Sequence, residues 1–159
     1  MQIGENGYAE KTAVFAMLET GARQVRAMVV PNVKRVTLQK AILDHVGFGS
    51  TIHTDQWPGY DGLAKRFVHE TVNHMQTYLT DSGVNTQAIE NFWSLLKRTL
   101  QATYVAVEPM HVDRYLDESA FRFNNRIGHN DATRFKKALS QAKGRRLTYA
   151  ELTGKSVAA

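Results

Sequence analysis

The sequence has no cysteine, which excludes disulfides and thiolate zinc sites and makes an intracellular setting the default. No apolar run approaches the roughly eighteen residues that a membrane helix takes. The N-terminus lacks the basic-then-apolar order of a signal peptide, so the expectation is a soluble, cytoplasmic protein. Internal repeats and low-complexity segments are absent too, and 159 residues suit one domain with a real core, since domains commonly run to about 100 to 200 residues. The six histidines fall at spacings that match no standard zinc pattern. Charge leans one way only mildly. The 20 Lys+Arg against 15 Asp+Glu leave +5 and a pI near 9.6, which favours a polyanionic partner such as nucleic acid.

What is present reads as an alternation of strands and helices. Residues 1–10 are polar and glycine-bearing, a loop or tail. The runs KTAVFAMLET and RQVRAMVV, joined at Gly21-Ala22, predict an antiparallel hairpin. Residues 36–47 have a helical apolar pattern and end at a glycine. STIHTD predicts a strand closing at Asp55, PGYDGLAKRF a turn into a short helix, and HETV another strand. Residues 73–86 have no period and read as a loop, with Thr86 the N-cap of a helix over 87–101. A second long helix begins near Pro109 and carries Val112, Tyr115, Leu116, Ala120, Phe123 and Ile127. Residues 129–159 read as a helical tail. This is an α/β sandwich with a mixed sheet.

Two carboxylates and a lysine invite a chemical reading. Asp55 closes a strand, and in open α/β sheets ligands gather at the carboxyl ends of strands. In ENFWSLLKR, the residues Ile89, Phe92, Trp93, Leu96 and Leu100 form one core-facing stripe. Glu90 and Lys97 lie at the edge of that stripe, two turns and about 10 Å apart, too far for an ion pair. A strand-end aspartate and a carboxylate on a packed helix suit a two-metal nucleotidyl-transfer site, which needs hard oxygen ligands on rigid elements. Spacing alone equally describes Glu90 and Lys97 as solvated charges on an amphipathic helix, and Asp55 as a turn cap. His53 shares a strand face with Asp55 by alternation, and lines the site or packs in the core. Trp57 and Tyr60 stack on bases or form a packed turn. KGRR and RFKK read as solvated faces that also suit contact with a DNA backbone.

The strings IHTDQWPGYDGL and VNHMQTYLTDSGVNTQAIENFWSLLKRTLQATYVAVEPMHVDRYLDESAFRFNNR resemble the DDE-type transposase domain of bacterial insertion sequences, the ISXO-like transposase/integrase class. The resemblance runs from residue 11 to about residue 127. It rests on four ordered units: T-D-x-W-x-x-Y, V-N-H, N-T-x-x-I-E-x-F-W-S-x-L-K-R and R-Y-L-D-E-x-x-F-R-x-N-x-R. It implies a ribonuclease H-like fold, a mixed sheet flanked by helices. It also implies Asp55 as the second catalytic aspartate and metal ligand, Glu90 as the third acidic ligand, and Lys97 as the basic residue seven positions on. Mg2+ or Mn2+ is the implied cofactor and DNA, both transposon ends and target, the implied partner. Lys97, Arg98, Arg122 and Arg126 become DNA-contact candidates, Asn73 and His74 neighbours of the cleft, and a homo-oligomer an expected assembly.

One part of the family pattern is missing. Its first catalytic aspartate sits in an Asp-Glu-Ser/Thr motif on the first strand, whereas no aspartate here precedes Asp44, and Glu5, Glu10 and Glu19 stand in no such motif. The expectation is a domain truncated at its N-terminus, without the first strand and inactive alone. The alternatives are a non-catalytic remnant that binds DNA or oligomerises, and a metal-dependent nuclease of the same fold that cuts without joining.

Overall fold

The structure is a computed structural model that describes residues 2–3, 9–10, 12–72, 86–104 and 107–153. Its strands form three separate pairs. The short β1 (Gln2–Ile3) and β2 (Ala9–Glu10) pair antiparallel, where the sequence suggested loop. The strands β3 (Val14–Glu19) and β4 (Gln24–Val29) make the expected antiparallel hairpin, with Val14 opposite Val29 and Glu19 opposite Gln24. A third pair, β5 (Thr51–Thr54) and β6 (Val68–Thr71), is parallel, with His53 opposite Glu70. Among the described residues no strand joins the hairpin to the parallel pair.

The hairpin is covered on both faces, which is why its strands read as near-continuous apolar runs. Ala13, Phe15 and Met17 face one core with Met28 and Val30; there α1 (Arg35–His45) contributes Leu38, Ala41 and Ile42, and Ile52, Leu63 and Phe67 complete it. Val14, Ala16 and Leu18 face the other with Val25 and Ala27, against α2 (Gln87–Arg98) and α3 (Val112–Asn124). The predicted stripe on α2 is that contact: Phe92 and Leu96 are buried, with Ile89, Trp93 and Leu100 packed partly against them. Beyond α3 lie α4 (Asp131–Ala142) and α5 (Tyr149–Thr153). No helix among the described residues is long and apolar enough to cross a membrane.

Several boundaries differ from the sequence expectation. The turn of the hairpin spans Thr20 to Arg23, and Arg23, not Gly21, takes the positive φ of 54°. Residues 58–67 form two 3-10 turns, Pro58–Tyr60 and Leu63–Lys65, because Gly62 stands between them at φ 90°. The α2 helix ends at Arg98 and widens into a π turn over Thr99–Thr103. Thr86 precedes α2 with ψ near 2°, outside the extended geometry of a side-chain cap, and makes no such bond. The α3 helix stops at Asn124, leaving Ile127 58% exposed instead of in the core. Of the predicted loop over 73–86, residues 73–85, with Asn73 and His74, lie outside the described residues.

Candidate functional site

Asp55 follows directly on β5 and is exposed. Its Oδ1 accepts a long bond from the Trp57 amide at 3.4 Å, the turn-capping role open to a strand-end aspartate. Behind it the turn is tightly fitted. A Cβ on Gly59 would lie 2.8 Å from Trp57 Cδ1 and 3.0 Å from Leu38 Cδ1, so only glycine lets this turn seat between the indole and α1. Gln39 Nε2 donates to the Asp61 carbonyl at 2.7 Å and fastens the turn to the helix. Trp57 is therefore part of a packed turn while remaining half exposed. The Tyr60 hydroxyl is held above its ordinary range, first by burial and then by the negative charge of Asp55.

The parallel pair supplies the next layer. Thr54 is buried, and its hydroxyl donates to the Asp55 carbonyl at 2.8 Å. With its one proton committed, the hydroxyl accepts from His69 Nε2 at 2.9 Å, which fixes the His69 tautomer with hydrogen on Nε2. His53 Nδ1 is buried 3.4 Å from Glu70 Oε2 without hydrogen-bond geometry, so His53 packs against the neighbouring strand. Sequence reasoning singled out His53 and missed His69, because the Thr54–His69 contact arises from strand pairing and not from local spacing.

Burial holds the His69 imidazole below its usual 6.5; Asp61 opposes that effect and His53 adds to it. Unfolding then takes up a proton once the pH falls below about 6.5, so the contribution of this group is complete above that value and fades as pH drops toward its folded-state value. The thermal midpoint of the wild type is expected to fall across this range more than that of His69→Gln, which retains a donor for Thr54. Parallel pH profiles of the two proteins would refute the assignment.

Glu90 sits in the first turn of α2, exposed, and accepts from the Thr86 hydroxyl at 2.7 Å. Lys97 and Arg98 occupy the last turn. Acid at the N-terminus and base at the C-terminus both suit the helix dipole, so their placement has a structural use irrespective of chemistry. Asp55 and Glu90 stand on elements of different cores, the parallel pair and α2, with the hairpin contributing to both. Among the described residues no three His, Asp or Glu side chains gather where one cation would reach them all.

The polar end of α3 is engaged in holding the fold. Asn124 forms a two-way clamp on β4: its Oδ1 accepts from Val25 N at 2.7 Å and its Nδ2 donates to Val25 O at 2.9 Å. Arg126 donates to the carbonyls of Phe123 at 2.6 Å and Arg23 at 3.3 Å, and its guanidinium lies 3.6 Å from the centre of the Phe123 ring. Arg122 pairs with Glu118 at 2.8 Å. Asn125 Oδ1 accepts from Lys137 Nζ at 2.6 Å, tying α4 to α3. Asp44 is solvated, paired with Lys40 across one helical turn.

Three likenesses to known proteins bear on this arrangement. Residues 2–124 match the family described as the ISXO2-like transposase domain. An "Uncharacterized transposase-like protein" of Haemophilus influenzae (strain ATCC 51907 / DSM 11121 / KW20 / Rd) is 36% identical over 103 residues, covering 64% of this chain and 82% of that protein. The crystal structure of the catalytic core domain of BIV integrase superposes with a TM-score of 0.55 at 16% identity, over 84% of this chain and 92% of that one, which establishes the ribonuclease H-like fold.

Proposed function

From the membership of this chain in the ISXO2-like transposase domain family, we propose that it carries the DNA-cleaving and strand-joining function of a bacterial insertion sequence, with Asp55 and Glu90 as the acidic residues of the site. The observation that carries the reading is Asp55 itself, an exposed carboxylate at the carboxyl end of a parallel strand, backed by a turn that only glycine at position 59 permits. Glu90 is likewise exposed on a helix whose neighbours Phe92 and Leu96 are buried, so both carboxylates stand on rigid elements. Lys97 and Arg98, exposed at the far end of the same helix, are placed to contact a DNA backbone. Arg122 and Arg126 enter this reading second, since each already holds a carboxylate or carbonyl of the fold.

A divalent cation, Mg2+ or Mn2+, would be held by Asp55 and Glu90, and when bound supplies charge neutralisation at the phosphate and an activated oxygen nucleophile. Two carboxylates from the described residues do not complete such a centre. With no aspartate before Asp44 to act as a further ligand, this chain alone is expected to be inactive. The second reading is a non-catalytic chain that binds DNA or oligomerises with an active transposase.

The test is a donor-nicking and joining assay with Mg2+ or Mn2+ on two proteins: this chain, and the chain extended at its N-terminus by the Asp-Glu-Ser strand of a family member. The expected result is no joining by the first and joining by the second that Asp55→Ala or Glu90→Ala abolishes. Joining by the unextended chain that Asp55→Ala removes would overturn the expected inactivity. Joining by the extended protein that survives both substitutions would overturn the assigned site. Failure of the extended protein while it still binds DNA supports the non-catalytic reading.

A further inference from the structure

The net charge of this protein is confined to one end of it. Residues 1–128 carry 13 Lys+Arg and 13 Asp+Glu, whereas residues 129–159 carry 7 and 2, so the whole excess of five positive charges lies in the C-terminal arm. The family match stops at residue 124, before that arm begins. We propose that the arm is a docking element for the phosphate backbone of duplex DNA, separate from the transposase domain and responsible for most of the chain's sequence-independent affinity. The proposal rests on the reading above in taking DNA as the partner.

The structure sorts the cations of the arm into two sets. Arg134 pairs with Asp131, and Lys137 is bonded to Asn125, so both serve the fold. Lys136, Lys143, Arg145 and Arg146 are exposed and form no hydrogen bond or ion pair with a described side chain. Three of these four fall within four residues. Gly144 at φ 79° ends α4 there, with Arg145 N donating to Ala142 O at 3.0 Å, so the cations are displayed from a tight turn. The arm is also fixed to the body. Asn130 Oδ1 caps α4 by accepting from Thr133 N at 2.9 Å, and the Arg114 guanidinium on α3 donates to the carbonyls of Glu151 and Leu152 at α5. Anchored cations lose less freedom on meeting a polyanion than cations on a loose tail.

A membrane surface is the competing occupant, since Phe135 and Leu139 are 64% and 55% exposed on α4. A surface-lying helix carries its cations along its own polar face. Here three of the four available cations follow the helix, so the charge is compact and suits closely spaced phosphates.

The experiment measures binding of a labelled DNA duplex of arbitrary sequence to the full chain across a salt series. The test variant replaces Lys136, Lys143, Arg145 and Arg146 with alanine; the matched control replaces the exposed cations Arg26, Lys34, Lys40 and Lys65 of the transposase domain. Each phosphate contact contributes about 0.9 to the slope of log affinity against log salt, so the arm variant is expected to lose roughly 3 to 4 from that slope while the control loses little. Circular dichroism should show both variants folded, since none of these residues lies in a core. Equal losses in the two variants, or none in the arm variant, overturn the proposal while leaving DNA as the partner. A wild-type chain that does not bind DNA overturns both this proposal and the reading it rests on. Arm-dependent binding to phosphatidylserine vesicles without arm-dependent DNA binding assigns the surface to membrane and likewise overturns it.

Discussion

Phe92→Ala is expected to lower the stability of the protein by about 3 to 5 kcal/mol, the cost of removing a buried phenylalanine and leaving its cavity. The ring is only 1% exposed. It meets Phe123 of α3 edge-on at 5.4 Å and Trp93 at 5.5 Å, and belongs to the core that includes Val25 of β4. One side chain thereby binds α2 to both α3 and the hairpin. Against the roughly 5 to 15 kcal/mol that keeps a domain folded, the loss is a large fraction of the total. Leu95→Ala on the same helix, where the side chain is 41% exposed, is the internal control and should cost well under half as much. Urea unfolding of the three proteins checks this: the Phe92→Ala midpoint should fall sharply at an unchanged slope. A loss below about 1 kcal/mol would mean that the core closes around the gap and that α2 is held by something else.

Asn124→Ala should cost about 2 to 6 kcal/mol, because it strands both the N–H and the C=O of buried Val25, each at about 1 to 3 kcal/mol. Asn124→Asp sharpens the point. A carboxylate still accepts from the Val25 N–H but sets a second oxygen against the Val25 carbonyl, which raises the pKa of the introduced acid in the folded state. A raised folded pKa means that the acid stabilises the fold below its unfolded value, about 3.9, and that this contribution disappears as pH rises through the folded value. The deficit of Asn124→Asp relative to wild type should therefore shrink on acidification, since the protonated acid both donates and accepts as the amide does. Denaturant midpoints of the two proteins measured from neutral to acidic pH decide the matter. A deficit that is constant or grows on acidification would show that the clamp does not act through this pair of bonds.

The parts of the fold visible in the sequence are those set by local periodicity. The stripe through Phe92 and Leu96 follows the helical repeat and is buried as expected. The run VFAML announced a strand of an antiparallel hairpin, and TIHT a strand delivering Asp55 at its end. The ordered motifs gave the family, because each unit ties a residue type to a fixed offset. What local pattern did not reveal depends on distance in sequence or on a single backbone angle. Asn124 and Val25 are 99 residues apart, so their clamp has no sequence signature. The bond from the Arg126 guanidinium to the Arg23 carbonyl spans 103 residues and has no local signature either. Gly62 at φ 90° split a segment whose composition suits a helix. The basic runs RFKK and KGRR were visible as local charge, but their weight shows only when the arm is compared with the neutral remainder.

The Asn124 amide presents to β4 the same donor and acceptor that a neighbouring strand would, and the ladder ends there. The hairpin is in that sense polarised: one border is stoppered by a side chain, while the border of β3 away from β4 meets no strand among the described residues. Any further strand, from this chain or another, therefore has a direction in which to add, toward β3 and the parallel pair. Disabling the stopper by Asn124→Ala would open a second border and with it a route to edge-to-edge self-association.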